Sequence, residues 1–255
     1  MNNGIIAPGP ALAVVLVVFV AAAALIMWLG GLGHWHAAIT ASARAVVQLA
    51  AVSLLITAVL GSGVLTALFV AVMFTVACLT SAKRVGDLRD GAWTAVALGS
   101  GVVPVLAVLT GSGLIPVQPI ALVPIAGILI GGAMTATSLA GRRALATLRA
   151  RHGEYEAALA LGFVRRDAVL LICRPSVGDA LVPALDQTRT VGVVTLPGAF
   201  VGVLLGGATP IQAGATQLLV LIALLVVEAV AALVVLELIA FGKLGVRQTL
   251  ALRDR

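Results

Sequence analysis

GRRALATLRARHGEYEAALALGFVRRDAVLLICRPSVGDALVPALDQTRT, residues 141–190, is the one long polar interval in this sequence. On either side of it, apolar runs follow one another with very short breaks. Eight of the chain's sixteen Lys and Arg fall inside it, from Arg142 to Arg189. An Arg-rich interval between hydrophobic runs reads as the cytoplasmic face of a membrane protein, because basic residues are retained on that side. Within it, GEYEAALALG reads as a short helix that docks on a partner.

The composition agrees with a membrane setting. Hydrophobic residues make up 61% of the 255, charged residues 10%, and mean hydropathy is +1.18. Soluble domains carry about 25% charged residues, so too little polar surface is left here to cover a soluble core. The expected fold is all-α: a multi-pass membrane protein of about seven transmembrane helices. It is read as a single transmembrane domain over residues 1–255, with a cytoplasmic segment at 141–189. A transmembrane β-barrel is disfavoured, because the apolar segments are continuous and not alternating. The net charge of +6 does not point to nucleic acid, since aromatics are only 4% and the basic residues are spread between apolar runs. Cys78 and Cys173 make no disulfide framework. The first apolar run is kept as a span and not as a signal peptide: no basic residue precedes it, and Gly30–Gly33 is a poor cleavage site.

A span needs about 20 apolar residues at about 1.5 Å each. Those expected are Ala11–Leu29, Ala45–Leu60, Val64–Thr80, Ala92–Leu109, Ile120–Ala140, Val191–Leu205 and Ala215–Phe241. Gly61-Ser62-Gly63 is a hairpin between the second and third, and Gly111–Pro119 a longer turn between the fourth and fifth. With the N-terminus outside and the C-terminus cytoplasmic, all sixteen basic residues fall on the inside. They are Arg44; Lys83, Arg84 and Arg89; the eight from Arg142 to Arg189; and Lys243, Arg247, Arg253 and Arg255. The positive-inside rule fixes this orientation, and the expected setting is multi-pass in the plasma (inner) membrane. The short apolar piece Ala168–Cys173 is crowded by Arg174, Pro175, Asp179, Pro183, Asp186 and Arg189. It is read as an interfacial amphipathic helix, broken at Pro175 and near Pro183.

No catalytic constellation emerges: there is no phosphate loop, no H-E-x-x-H and no C-x-x-C. The chain is therefore not expected to be an enzyme or to hold a cofactor or metal. His34 and His36 flank Trp35 without a nearby third ligand, and read as an interfacial ring belt. On the docking helix, Glu154, Ala157, Ala158 and Leu161 follow i, i+3, i+4, i+7 and share one face, small and apolar with a carboxylate at its N-terminal end. Glu156 lies beside them, and Gly162 lets the chain turn out of the helix.

Four places in the spans attract functional readings. Gly127 and Gly131 form a G-x-x-x-G pair that continues through Thr135 and Ser138, a stripe suited either to a moving seam or to static packing. Pro197-Gly198 breaks the short sixth run, and broken spans line pathways in many transporters. Arg44 and Gln48, one turn apart at the inner end of the second span, face a substrate vestibule or snorkel to lipid phosphates. Glu228 stands mid-way along the last span, where an isolated carboxylate is costly and is a functional candidate.

Five segments in order resemble the FetB-type (UPF0014) ABC transporter permeases, a family with bacterial iron exporters and plant aluminium-tolerance members. They are SARAVVQLA (Ser42–Ala50), SAKR (Ser81–Arg84), VPIAGILIGGAMTATSLAGRR (Val123–Arg143), LALG (Leu159–Gly162) and TVGVVTLPGAFVGVLLGGATPIQA (Thr190–Ala213). The chain departs from the family at Gly132, where Asn is usual, and at FVRRD after LALG, where Thr and Pro are usual. The resemblance implies a homodimeric permease subunit exporting a metal ion, iron. A separate ABC ATP-binding subunit, docked on Arg149–Phe163, would hold the ATP and Mg. Two other readings stay open: export of a nucleotide-sugar or other anion, and a non-transporting scaffold that holds anionic lipid on its basic face.

Overall fold

The computed structural model describes residues 9–245. Among them every regular element is helical, the one isolated bridge being Val191 to Thr195. The elements are α1 (Pro10–Leu29), α2 (Trp35–Leu60), α3 (Gly63–Val85), α4 (Gly91–Gly111), α5 (Pro119–Ala150), α6 (His152–Ala160), α7 (Arg165–Gly178), α8 (Val182–Thr190), α9 (Gly198–Leu205) and α10 (Pro210–Ala240). Seven helical runs are long and apolar enough to cross a membrane: α1, α2, α3, Leu88–Gly111, α5, Arg165–Thr190 and α10. Arg247, Arg253 and Arg255, counted above on the inner side, lie outside the described residues.

The chain divides into two compact units at the Gly61-Ser62-Gly63 hairpin, Met1–Gly61 and Ser62–Arg255. In the first, Pro10 opens α1 and glycines with positive φ, Gly31 at 64° and Gly33 at 70°, turn the chain into α2. α2 starts ten residues before the expected Ala45, because the alanines of HAAITASAR continue the helix without a break. Arg44 and Gln48 therefore stand inside α2 and not at its end, both exposed.

In the second unit α5 and α10, 32 and 31 residues long, lie side by side, with α3 and α4 packed on them at one place and α7 at another. Small residues permit the close approaches, as packing in lipid requires. A Cβ on Gly101 of α4 would lie 2.8 Å from the Val227 carbonyl oxygen of α10, so these two backbones touch. Polar side chains bond between spans: Ser81 Oγ to Ser138 Oγ at 3.2 Å, and Thr94 Oγ1 to the Cys78 carbonyl at 3.0 Å. A capping box at Thr209 and Gln212, with Pro210 behind it, starts α10.

The middle of the chain differs from expectation. Val191–Leu205 is no span. Gly192, with φ 82°, makes a turn in which Thr190 and Thr195 carbonyls accept backbone bonds, and Pro197 then caps α9. Eight residues of helix reach about 12 Å, well short of a bilayer core. The sixth long run is instead Arg165–Thr190. Its apolar side is not free to lie on lipid as an interfacial helix would: Ala168, Val169, Ile172, Cys173 and Val177 are buried, with α7 packed on α5 and α10. Pro175 sits within α7 without breaking it. The interruption is one 3-10 turn at Asp179–Leu181, and Pro183 stands in the first turn of α8, where a missing N–H costs nothing. Interval 141–189 is thus divided among the end of α5, the short α6 and this run. Arg165 and Arg189 stand at opposite ends of one long helical run, so the complete one-sided division of basic residues does not carry over.

Candidate functional site

Two chambers follow the seam between α5 and α10. The first, about 290 Å³, is lined by Ile128, Gly131, Gly132, Thr135, Ala136 and Leu139 of α5, by Leu224 and Glu228 of α10, and by Ala180, Pro183, Ala184 and Gln187 from the turn and α8. The second, about 590 Å³, is lined from Leu114 to Ile128 along the α4–α5 turn and α5, by Gly198, Ala199, Gly202 and Val203 of α9, and by Thr216 and Val220 of α10. Ile128 belongs to both walls. On α10 the lining residues Thr216, Val220, Leu224 and Glu228 recur every four positions, so one helix face runs through both chambers over about 18 Å.

Among the described residues Glu228 is the single acidic side chain in either wall, and none of the lining residues is Lys or Arg. Gly132 makes its position possible: a Cβ there would lie 2.7 Å from Glu228 Oε1 and would also strike Leu224. The carboxylate thus lies over bare backbone of α5. The G-x-x-x-G stripe is split by this geometry. Gly127 faces Met73 of α3 and Ser138 bonds to Ser81, whereas Gly131 and Thr135 line the chamber. Thr135 Oγ1 donates to the Gly131 carbonyl at 3.0 Å. Pro197 caps α9 and Gly198 begins it at the second chamber. Arg44 and Gln48 belong to the first unit, on exposed positions of α2. Among the described residues no three His, Cys, Asp or Glu side chains gather to hold a metal ion.

Sequence reasoning missed α8 as a wall, whereas Gly198, at the start of α9, was among the pathway candidates and does line the second chamber. Gln187, the amide of the first chamber, sits in the segment read as cytoplasmic, just past the expected break near Pro183. The four-residue recurrence on α10 was the available signal, but periodicity does not say which face meets α5.

At the far end of α5, α6 forms the expected short helix. Arg151 bonds Glu154 through two nitrogens, Nε to Oε1 at 2.7 Å. This bonding holds the Glu154 carboxyl below the usual carboxylate range, and the Arg151 guanidinium above its own. Glu154, Glu156 and Ala157 are exposed, but Ala158 is buried and turns inward with Tyr155, which packs against the core. The four residues expected on one outward face are therefore divided between two sides. Gly162, with φ 90°, ends the helix as Phe163 N–H donates to the Ala158 carbonyl at 3.1 Å. The turn leaves Leu161 80% exposed, with Phe163 and Val164 exposed beside it. Just beyond, Arg166 holds Glu237 of α10 by two bonds, 2.9 and 2.7 Å, and lies over the Phe241 ring at 5.5 Å.

A family model described as "Uncharacterised protein family (UPF0014)" matches residues 11–242, nearly the whole chain. This chain belongs to the UPF0014 family. Among its relatives, the rice "UPF0014 membrane protein STAR2" is 35% identical over 150 residues, 58% of this chain and 53% of the relative. The Escherichia coli "Probable iron export permease protein FetB" is 32% identical over 143 residues, 56% of this chain and 54% of the relative. A Synechocystis UPF0014 membrane protein is 29% identical over 230 residues, 84% of this chain and 85% of the relative. The alignments to the rice and E. coli proteins span about half the length of each relative. No solved structure matches. As a UPF0014 protein with seven apolar helical runs among its described residues, the chain is an integral, multi-pass membrane protein.

Proposed function

We propose that this protein is the membrane-spanning subunit of an ABC exporter. It works as a pair of copies in the plasma membrane, with the N-terminus outside and the C-terminus cytoplasmic. A separate ATP-binding subunit docks on each α6, and ATP and Mg act wholly on that partner. One observation carries the reading. α6 joins two long apolar runs, leaves Leu161, Phe163 and Val164 exposed, and is followed directly by Arg166 gripping Glu237 of the chamber-lining helix α10. An apolar edge rimmed by charge suits a protein partner better than water. A push on α6 has a short mechanical route to the chambers.

The cargo in this reading is a cation, with iron, named for the E. coli relative, the first to test. Glu228 in a wall without Lys or Arg favours it over a nucleotide-sugar or another anion. The metal's remaining ligands would come from water, from Gln187 and Thr135, or from the second copy. Co-expression of the chain with its candidate ATP-binding subunit tests the assignment. Leu161→Asp with Phe163→Asp should abolish copurification and stimulated ATP hydrolysis. Unchanged values for both would remove the coupling role and leave the lipid-holding scaffold, which needs no ATPase.

A further inference from the structure

We infer that the two chambers together form a binding site for a monovalent organic cation, an elongated apolar body carrying one positive charge. This ligand class goes beyond the metal cargo proposed above, and its binding needs no ATP-binding partner.

The second chamber supplies the body's place. Its about 590 Å³ falls within the range of small-molecule sites, about 300–1,000 Å³. Its lining side chains are apolar apart from the Thr216 hydroxyl, which already donates to the Gln212 carbonyl at 3.0 Å. Those side chains favour an apolar body. Gly198 and Gly202 of α9 widen it, because a Cβ at either would meet no atom within 4 Å.

The first chamber supplies the charge. Glu228 makes no hydrogen bond or ion pair with any described residue, and no described basic residue lines the wall to neutralise it. A carboxylate in apolar surroundings is costly until it is paired or protonated. A metal ion would need several further ligands, and among the described residues no three His, Cys, Asp or Glu side chains gather here, so Gln187, Thr135 and water would have to complete its shell. An ammonium, pyridinium or similar head needs one counter-charge and no coordination shell. The chambers share Ile128, and Val220 and Glu228 stand eight residues apart on one α10 face, about 12 Å. A ligand of that length reaches the carboxylate with its head while its body stays in the apolar chamber. Neutral or anionic molecules of the same shape leave Glu228 unpaired or repelled.

The experiment uses the purified full chain in lipid nanodiscs, without an ATPase. The probes are a fluorescent N-methyl styrylpyridinium dye and its unmethylated, uncharged parent. The dye should bind the wild type saturably, above empty nanodiscs. Glu228→Gln, close in shape, should weaken it about 30-fold or more, as expected when one partner of a desolvated charge pair is removed. The uncharged parent should bind wild type and Glu228→Gln alike. Gly202→Leu, which grows into open space, should weaken the dye by occupying the body's place while leaving the melting temperature unchanged. Equal dye affinity in wild type and Glu228→Gln, or in wild type and Gly202→Leu, would overturn the site, as would no saturable binding to the wild type. Failure of the wild-type chain to copurify with an ATP-binding subunit, with dye binding intact, would instead refute only the exporter assignment.

Discussion

Gly101→Ala and Gly132→Ala add the same methyl group to two membrane helices, and their neighbours make the outcomes differ. At Gly101 the new carbon would lie 2.8 Å from the Val227 carbonyl oxygen and 3.2 Å from Val227 Cα. These are backbone atoms of α10 and cannot rotate away, so α4 and α10 must part and lose contact along their whole crossing. At Gly132 the obstacles are Glu228 Oε1 and Leu224 Cδ1, the free ends of two side chains. Both can swing into the adjoining chamber. Alanine gains about 1 kcal/mol in helix propensity at either position, and overpacking costs about 1–3 kcal/mol. The rigid neighbours put Gly101 at the top of that range and the flexible ones put Gly132 at the bottom. Gly101→Ala should therefore lose about 2 kcal/mol net, and Gly132→Ala about none. At about 2–4 °C per kcal/mol for a chain of this size, the first should melt about 4–8 °C below wild type and the second within about 2 °C of it. Tryptophan fluorescence during thermal unfolding in detergent reads both. The reasoning fails if Gly101→Ala melts at or above wild type, or if the two variants fall together.

Leu161→Asp should leave the melting temperature unchanged and abolish association with the ATP-binding subunit, whereas Ala158→Arg, at a buried position, should lower the melting temperature as well; equal melting of the two would contradict the inward turn of Ala158. Arg166→Glu and Glu237→Arg should each uncouple ATP hydrolysis from transport, and the double exchange should restore coupling in the same assay, since the pair then re-forms with its charges reversed. Thr137 has a buried hydroxyl with no hydrogen-bond partner among the described residues. Thr137→Val should consequently be neutral or stabilise by up to about 1 kcal/mol, and a clear drop in melting temperature would reveal a partner for that oxygen. Cys78 and Cys173 are buried, so maleimide should label neither in the folded protein and both after denaturation.

The apolar runs behind α1, α3, α4, α5 and α10 were legible because a bilayer imposes both length and hydropathy on a helix that faces it. Arg165–Thr190 was not, because hydropathy counts residues without knowing where they point. Its buried apolar residues, such as Val169, Ile172 and Cys173, pack with α5 and α10 while Leu171 stays exposed. Its charges are exposed or paired, as with Arg166 to Glu237 and Arg143 to Asp179 at 3.6 Å. A span sheltered by other helices need not be greasy all round. The converse error befell Val191–Leu205, apolar enough but cut by Gly192 and Pro197. In the site, Glu228 was legible as a lone carboxylate in an apolar run. Gln187 was not, since only the fold carries α8 to the α5–α10 seam.

That misplaced run also joins the two halves of the proposed mechanism. Arg166, near its start, is fixed to α10 nine residues beyond Glu228, about 14 Å along the helix. Ala180, Pro183, Ala184 and Gln187, toward its other end, line the same chamber as Glu228. Between them lies the 3-10 turn Asp179–Leu181, the one place where the run leaves α-helical geometry and its most deformable point. In the proposed exporter, a push on α6 would move α7 and α10 together through the ion pair. Their relative position near Arg166 would hold, and the change would be taken up at the turn. The chamber would then open or close by α8 shifting against α10. Cross-linking cysteines at positions 187 and 228 should therefore trap one state and stop cargo movement, while a cross-link between positions 166 and 237 should permit it. Arrest by the second cross-link alone would place the hinge elsewhere.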